Sequence, residues 1–131
     1  MTGTEDRSLL ARLPGPGGRF PRIVSLRSEP PAIRLCLEVS SKLRWFVGHF
    51  PEQPVLPGII QVHWAVIVCR ACFGFAGAPA EIKRLKFKRI ISPPRTVDLL
   101  VARHDELEAQ FSFGDANEQN SEGRLVFANA P

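Results

Sequence analysis

The chain has 131 residues, of which 44% are hydrophobic and 23% charged, and its formal net charge is +4. This composition is ordinary for one globular domain with its own core. Polar residues interrupt the longest apolar run, which argues against a membrane span, and no leader pattern is recognised, so secretion is not predicted. Three cysteines, an odd number, favour a reducing cytoplasm over a disulfide framework.

The positive charge suggests a kind of partner. It suits an acidic protein that is steered toward a pocket mouth, and its simpler interpretation is a solvated basic surface. No aromatic-interleaved basic motif of an RNA- or DNA-binding module is present in the sequence. Nucleic acid is therefore not predicted as a partner.

The first 22 residues predict an N-terminal arm. Nine of them have polar or charged side chains, and the run from Pro14 to Gly18 consists of prolines and glycines. Such a run interrupts regular secondary structure, so residues 1–22 are expected to be mobile or loosely packed. Their leucines are expected to form a short helical turn that lies on the domain. A single domain is expected over residues 23–131.

Alternating apolar and polar residues predict about six antiparallel strands in that domain. The segments are Ile23 to Ser28, Ala32 to Ser40, Ile82 to Ile91, Thr96 to Ala102, Leu107 to Phe113 and Gly123 to Ala128. In the third segment, Leu85 and Phe87 are expected on one face and Arg84, Lys86 and Lys88 on the other. The polar residues 114–122 are expected to form a loop.

Between these strands, Gly58 to Phe73 predicts the one long helix of the chain. Its residues are apolar almost all round, which is typical of a helix wrapped by other elements. Gly74 and Gly77 then end it, as glycines commonly do at helix C-termini. The expected fold class is α+β, an antiparallel sheet wrapped around one long central helix.

The helix follows an unusual loop, Gly48 to Gly58, with the sequence Gly-His-Phe-Pro-Glu-Gln-Pro-Val-Leu-Pro-Gly. Its three prolines predict a rigid, irregular backbone. The free N–H groups of a helix N-terminus attract a partly negative oxygen, and His49 near them is suited to acid–base work. This segment is the candidate site.

The loop closely resembles the signature of the 3-hydroxyacyl-[acyl-carrier-protein] dehydratases, which have the hotdog fold. Within that family, the branch found in aryl-polyene biosynthesis clusters is most similar to the sequence Pro-Val-Leu-Pro-Gly-Ile-Ile-Gln-Val-x-Trp-Ala. A weaker resemblance extends from about Ile23 to Phe127. Phe87 to Pro93 looks like the family's strand after the central helix. The resemblance implies a dehydratase of fatty-acid or polyene-type lipid biosynthesis.

The resemblance also implies roles for single residues. His49 would remove the proton α to the thioester carbonyl, and the N–H groups at Gly58 would stabilise the developing enolate-like charge. The substrate pocket would be formed by Gly48, Phe50, Val55, Pro57 and Trp64. No cofactor is expected, because the substrate is carried on phosphopantetheine.

One position departs from the family. Fourteen residues after the histidine the family has an acid, which faces the histidine across a dimer interface, and here that position is His63. A histidinium could also protonate the leaving hydroxyl, and two nearby histidines would favour one acid and one base. A binding or structural role for His63 stays open at this point.

The resemblance implies a homodimer with one continuous sheet, or assembly with a second hotdog protein, and acyl carrier protein as partner. Arg84, Lys86, Lys88 and Arg89 either receive the acidic carrier or form a solvated strand face. The alternatives in function are a hotdog thioesterase, which the Gly-His-Phe-Pro loop argues against, and a non-catalytic acyl-binding partner subunit, which the missing acid supports.

Two further patterns are interpreted as structural. Cys69 and Cys72 form a C-x-x-C inside an apolar helix, without the context of a redox motif, so core packing is favoured. The three histidines at 49, 63 and 104 lack a recognised ligand spacing, so no metal site is expected.

Overall fold

The structure is a computed structural model, which describes residues 4–15, 19–43 and 54–128. Within these ranges two short N-terminal elements are followed by a long helix and a set of strands. In chain order they are β1 (Thr4–Glu5), α1 (Arg7–Leu10), β2 (Arg22–Glu29), β3 (Ala32–Val39), α2 (Gly58–Phe73), β4 (Pro79–Phe87), β5 (Arg95–Arg103), β6 (Glu108–Gly114) and β7 (Gln119–Phe127).

The described strands form one antiparallel sheet in the order β1-β2-β3-β5-β6-β7-β4. Burial alternates along β3, β5 and β6, so one face of the sheet carries the core and the other faces outward. Helix α2 packs on the core face, where Trp64 joins the rings of Phe111 and Phe113. The predicted fold class is thereby confirmed.

Helix α2 has the predicted bounds, but its burial differs from the prediction. Gly74 ends it in a left-handed conformation with φ of 77°, as expected of a C-terminal glycine. The apolar sequence predicted a helix covered all round, yet Ile59 is 71% exposed and His63 and Arg70 are exposed as well. A single sheet covers only one side of a helix, so the opposite side stays open within one chain.

Two strands differ from their predicted bounds by more than one residue at an end. β4 begins at Pro79 and ends at Phe87, so the segment after Phe87 is not a strand as far as Ile91. β7 begins at Gln119, inside the stretch that was expected to be a polar loop. Polar residues can occupy a buried strand position when their hydrogen bonds are satisfied, and that is the case for Asn120 and Ser121.

The described part of the N-terminal arm contacts the domain. β1 pairs with β2, and the buried side chains of Leu13 and Phe20 join the core. The Phe20 ring packs edge-on against Trp64 at 5.9 Å between centroids, and the indole N–H of Trp64 donates to the Arg19 carbonyl at 3.0 Å. The mobility of this arm stays a prediction. In the described ranges no helix has the length and apolarity that crossing a membrane requires.

Edge strand β4 contains a bulge. Its register with β7 shifts between Lys83 and Lys86, so that Arg84 and Leu85 share the place opposite Gly123. Arg84 has φ of 53°, a left-handed conformation that is uncommon for a residue with a side chain. The sequence pattern did not indicate this bulge, in which one extra residue is accommodated.

The bulge determines which side chains share a face. Ile82 and Leu85, three residues apart, both lie on the side of the sheet that also carries Phe87, as their partners in β7 show. The common face of Leu85 and Phe87 is as predicted. All three side chains are exposed within the chain, so β4 has an apolar row on the helix side.

The left-handed conformation at Arg84 predicts an unusual response to glycine. Arg84→Gly should leave the free energy of unfolding unchanged or raise it by up to about 1 kcal/mol, because glycine adopts positive φ without the steric cost. Lys86→Gly, two residues along the same strand, should lower it by about 0.5 to 1 kcal/mol. Denaturant unfolding of both variants measures this, and an equal loss in both would contradict the bulge.

Candidate active site

The loop before α2 is described from Pro54 onward, and it is fixed by backbone hydrogen bonds. The N–H of buried Leu56 donates to the carbonyl of Ile91 at 2.8 Å. The carbonyl of Pro57 accepts from the N–H groups of Ile60 and Gln61, at 3.0 and 3.2 Å. The chain therefore enters the helix in a defined direction. His49, Gly48 and Phe50 lie outside the described residues.

Gly58 is the first residue of the helix, and an aromatic ring lies against it. A Cβ at this position would be 2.5 Å from Cζ and 2.8 Å from Cε1 of Phe87, so only glycine fits beneath the ring in this place. Among the described residues, no acceptor takes the N–H groups of Gly58 and Ile59. These groups belong to the first turn, where intrahelical partners do not exist. They are donors beside a half-exposed ring.

His63 lies on the open side of the helix. It is one turn beyond Ile59, on the same face by the spacing of four residues, and both are exposed. Trp64, the next residue, points the other way and is fully buried. Its predicted place in a substrate pocket stays a prediction, and within one chain its ring offers no open surface. Val55 and Pro57 are exposed in the loop before the helix.

The four basic residues proposed for docking divide into two kinds. Lys88 forms an ion pair with Glu122 at 3.1 Å, and Arg89 forms one with Glu118 at 3.3 Å. The hydrogen bond from Lys88 holds the pKa of the Glu122 carboxyl below its usual range. Local acids thus offset two of the four charges.

The other two cations line a small cavity on the outer face of the sheet. It has a volume of about 220 Å³. Its lining residues are Arg84, Lys86, Gln110, Glu122, Gly123 and Arg124. The cavity lies behind the apolar row, on the side away from the helix.

Sequence reasoning missed three buried polar residues behind the helix start. The three are Gln61, Asn120 and Ser121, and each buried polar atom of their side chains has a hydrogen-bond partner. A signal was present for Gln61, a polar residue within an apolar helix. No such signal existed for the other two, which stand in a polar stretch of the sequence.

The C-x-x-C is part of the core, as predicted. Cys69 is buried and Cys72 packs against the core. Burial raises the pKa of the Cys69 thiol to about 12 and that of Cys72 to about 11, which leaves both protonated near neutral pH. Within the described ranges, no three side chains of the metal-binding types come together.

Comparison with known sequences gives consistent matches. The family model described as ApeI-like, ApeI dehydratase, matches residues 25–124. The 3-hydroxyacyl-[acyl-carrier-protein] dehydratase FabZ of Ruminiclostridium cellulolyticum is 30% identical over 101 residues, which are 69% of this chain and 71% of that protein. FabZ of Herpetosiphon aurantiacus is 34% identical over 96 residues, 64% of this chain and 67% of its own.

Solved structures show the same fold. The dehydratase heterocomplex ApeI:P from Xenorhabdus doucetiae matches with a TM-score of 0.73 at 24% identity, over 81% of this chain and 96% of that one. A protein from Erwinia carotovora subsp. atroseptica matches with 0.65 at 26% identity, over 82% and 94%. The dehydratase domain of a mycocerosic acid synthase-like polyketide synthase matches with 0.64 at 18%, over 89% and 42%. The predicted hotdog fold is confirmed.

The contact between Gly58 and Phe87 predicts a coupled pair. Gly58→Ala should lower the free energy of unfolding by about 1 to 3 kcal/mol, because the new methyl group displaces the ring. In the double variant with Phe87→Ala most of this additional cost should disappear. Denaturant unfolding at one fixed protein concentration measures both effects.

Gly15→Ala is the matched control, since a Cβ there would meet no atom within 4 Å. It should change the free energy of unfolding by less than about 0.5 kcal/mol. Additive effects of Gly58→Ala and Phe87→Ala would show that the ring does not lie on the glycine.

Proposed function

The chain belongs to the ApeI-like dehydratase family, and on that premise we propose that it removes water from a 3-hydroxyacyl thioester carried on acyl carrier protein. The observation that carries the proposal is the helix start at Gly58. It lies inside the matched region, directly after the proline loop, and the N–H groups of Gly58 and Ile59 have no acceptor among the described residues. The setting is fatty-acid or polyene-type lipid biosynthesis.

The proposed reaction is an elimination that needs only protons and one oxyanion site. His49 takes the proton from the carbon α to the thioester carbonyl, a role to which an imidazole is suited near neutrality. The N–H groups at Gly58 receive the carbonyl oxygen as it gains negative charge. His63 gives a proton to the β-hydroxyl, which leaves as water while the double bond forms. No cofactor takes part in these steps.

A second copy of the chain is the partner that we propose for the open side of the helix. β4 is an edge strand, so its outer N–H and C=O groups have no neighbouring strand among those that the structure describes. Pairing two copies through β4 would extend the sheet and cover the apolar row of Ile82, Leu85 and Phe87. Ile59 and His63 would then face the partner, where the partner's loop carries a second His49.

Assembly with a different hotdog protein is a variant of this proposal. One structural relative is itself a dehydratase heterocomplex. The same surface, the β4 edge together with the open face of α2, would serve either partner. The two cases differ in which chain supplies the group opposite each histidine.

The shared site predicts complementation between inactive chains. His49→Ala and His63→Ala should each lower kcat on a 3-hydroxyacyl thioester by about 10² to 10⁴. Unfolded and refolded together in equal amounts, they should regain about a quarter of wild-type activity, because half of the dimers have one intact site of two. Enoyl-thioester formation measures this.

If a verified mixed dimer recovers no activity, either both histidines act within one chain or one of them has no role in the reaction.

His63→Glu, which restores the acid of the family, should keep or raise activity if position 63 protonates the leaving hydroxyl. A wild-type protein that is inert alone, but active as His63→Glu, would instead identify it as a partner subunit that does not catalyse.

Carrier docking predicts a charge-specific effect at Lys86. Lys86→Glu should raise KM for the carrier-bound substrate roughly tenfold, because steering of the acidic carrier is lost. KM for a small thioester mimic should not change. Arg27→Glu makes the same charge change on β2, at the far end of the sheet, and should affect neither substrate. Equal effects of Lys86→Glu on both substrates would refute docking at this strand.

A further inference from the structure

Gln61 occupies an unusual position in α2. It is only 3% exposed, one turn after Gly58, in a helix whose other buried residues are apolar. Its amide N–H donates to the carbonyl of Leu56 at 3.2 Å, and its amide oxygen accepts from the hydroxyl of Ser121 at 2.6 Å. The side chain thus joins the helix, the loop before it and strand β7.

The loop is held from a second direction by the neighbour of Ser121. The buried Asn120 accepts the N–H groups of Lys88 and Arg89 at its carbonyl, at 2.8 and 3.1 Å, and its amide donates to the Ile90 carbonyl at 3.2 Å. The next carbonyl, that of Ile91, accepts from the N–H of Leu56. Both paths therefore run from adjacent residues of β7 to Leu56.

Leu56 stands two residues before Gly58, and both of its backbone polar groups are engaged in these paths. An apolar side chain of similar size could be buried at position 61 without any hydrogen-bond partner. A buried amide, in contrast, needs a hydrogen-bond partner at each of its polar atoms. A fully satisfied network of this kind fixes one geometry in a core that apolar contacts alone would leave freer. The geometry that it fixes is the turn from the loop into the helix.

We propose that Gln61 and Ser121 are positioning residues for the dehydration. Their hydrogen bond holds the first turn of α2 against β7 and the loop, and so aims the N–H groups at Gly58 at the thioester oxygen. The inference rests on the proposed function, because it needs that oxygen to bind there. Neither residue touches the substrate.

Ser121→Ala and Gln61→Met remove the hydroxyl and the amide while keeping approximate volume. Each should lower kcat about 10- to 100-fold, because donors displaced by a fraction of an ångström stabilise the transition state less. KM should change little, since the walls of the acyl site remain. Ser121→Thr retains the hydroxyl and should retain most of the wild-type kcat.

The control is Arg103→Met, at the other end of the same helix. The Arg103 guanidinium donates to the Phe73 carbonyl at 2.8 Å and lies over the rings of Phe73 and Phe75. Its loss should lower the thermal midpoint without lowering kcat. This separates loosening of α2 in general from misplacement of its N-terminus.

The outcomes distinguish the two proposals. Ser121→Ala with a lower thermal midpoint and unchanged kcat would overturn the positioning role and leave the dehydration standing. An equal fall of kcat in Arg103→Met would overturn it as well. A wild type that forms no enoyl product from any 3-hydroxyacyl thioester, alone or with a second hotdog protein, would overturn the proposed function and the inference together. If Gln61→Met does not fold, the comparison of Ser121→Ala with Ser121→Thr decides.

Discussion

One antiparallel sheet cannot enclose an apolar helix, and this constraint governs the rest of the molecule. α2 is apolar almost all round, and the sheet covers the side that carries Trp64, so Ile59 remains exposed on the other. The adjoining edge strand leaves an apolar row exposed as well. In the proposed assembly a second subunit would bury both surfaces, and His63 lies on the helix face that it would cover. Packing and the proposed catalysis therefore depend on the same surface.

The start of the helix is held more firmly than its position after an irregular loop suggests. Proline restricts the backbone up to Pro57, the Phe87 ring closes on Gly58, and Gln61 ties the first turn to β7. All three constraints act on the first turn of α2 or directly before it. An oxyanion site needs donors that do not reorganise during the reaction, and a rigid helix terminus provides them.

In the basic strand, ion pairs reduce the number of cations that are available to a partner. In sequence, Arg84 to Arg89 carries four cations in six positions, counting those at 84, 86, 88 and 89. In the sheet, Glu118 and Glu122 come from β7 or the turn before it and pair with two of them. Arg84 and Lys86 line a small outward cavity together with Glu122 and Arg124. A docking surface there would offer fewer cations than the four that the sequence implies.

The sequence by itself determined the features that depend on local chemistry. The bounds of α2, the alternating strands and the motif around Gly58 follow from periodicity, backbone restriction and residue type, all of which are contained in neighbouring residues. Tertiary structure decided the bulge at Arg84, the strand character of Asn120 and Ser121, and the open face of the helix. Each depends on a partner distant in the chain: a facing strand, a buried acceptor or a covering layer. A local pattern contains no information about those partners, so only the folded chain could settle them.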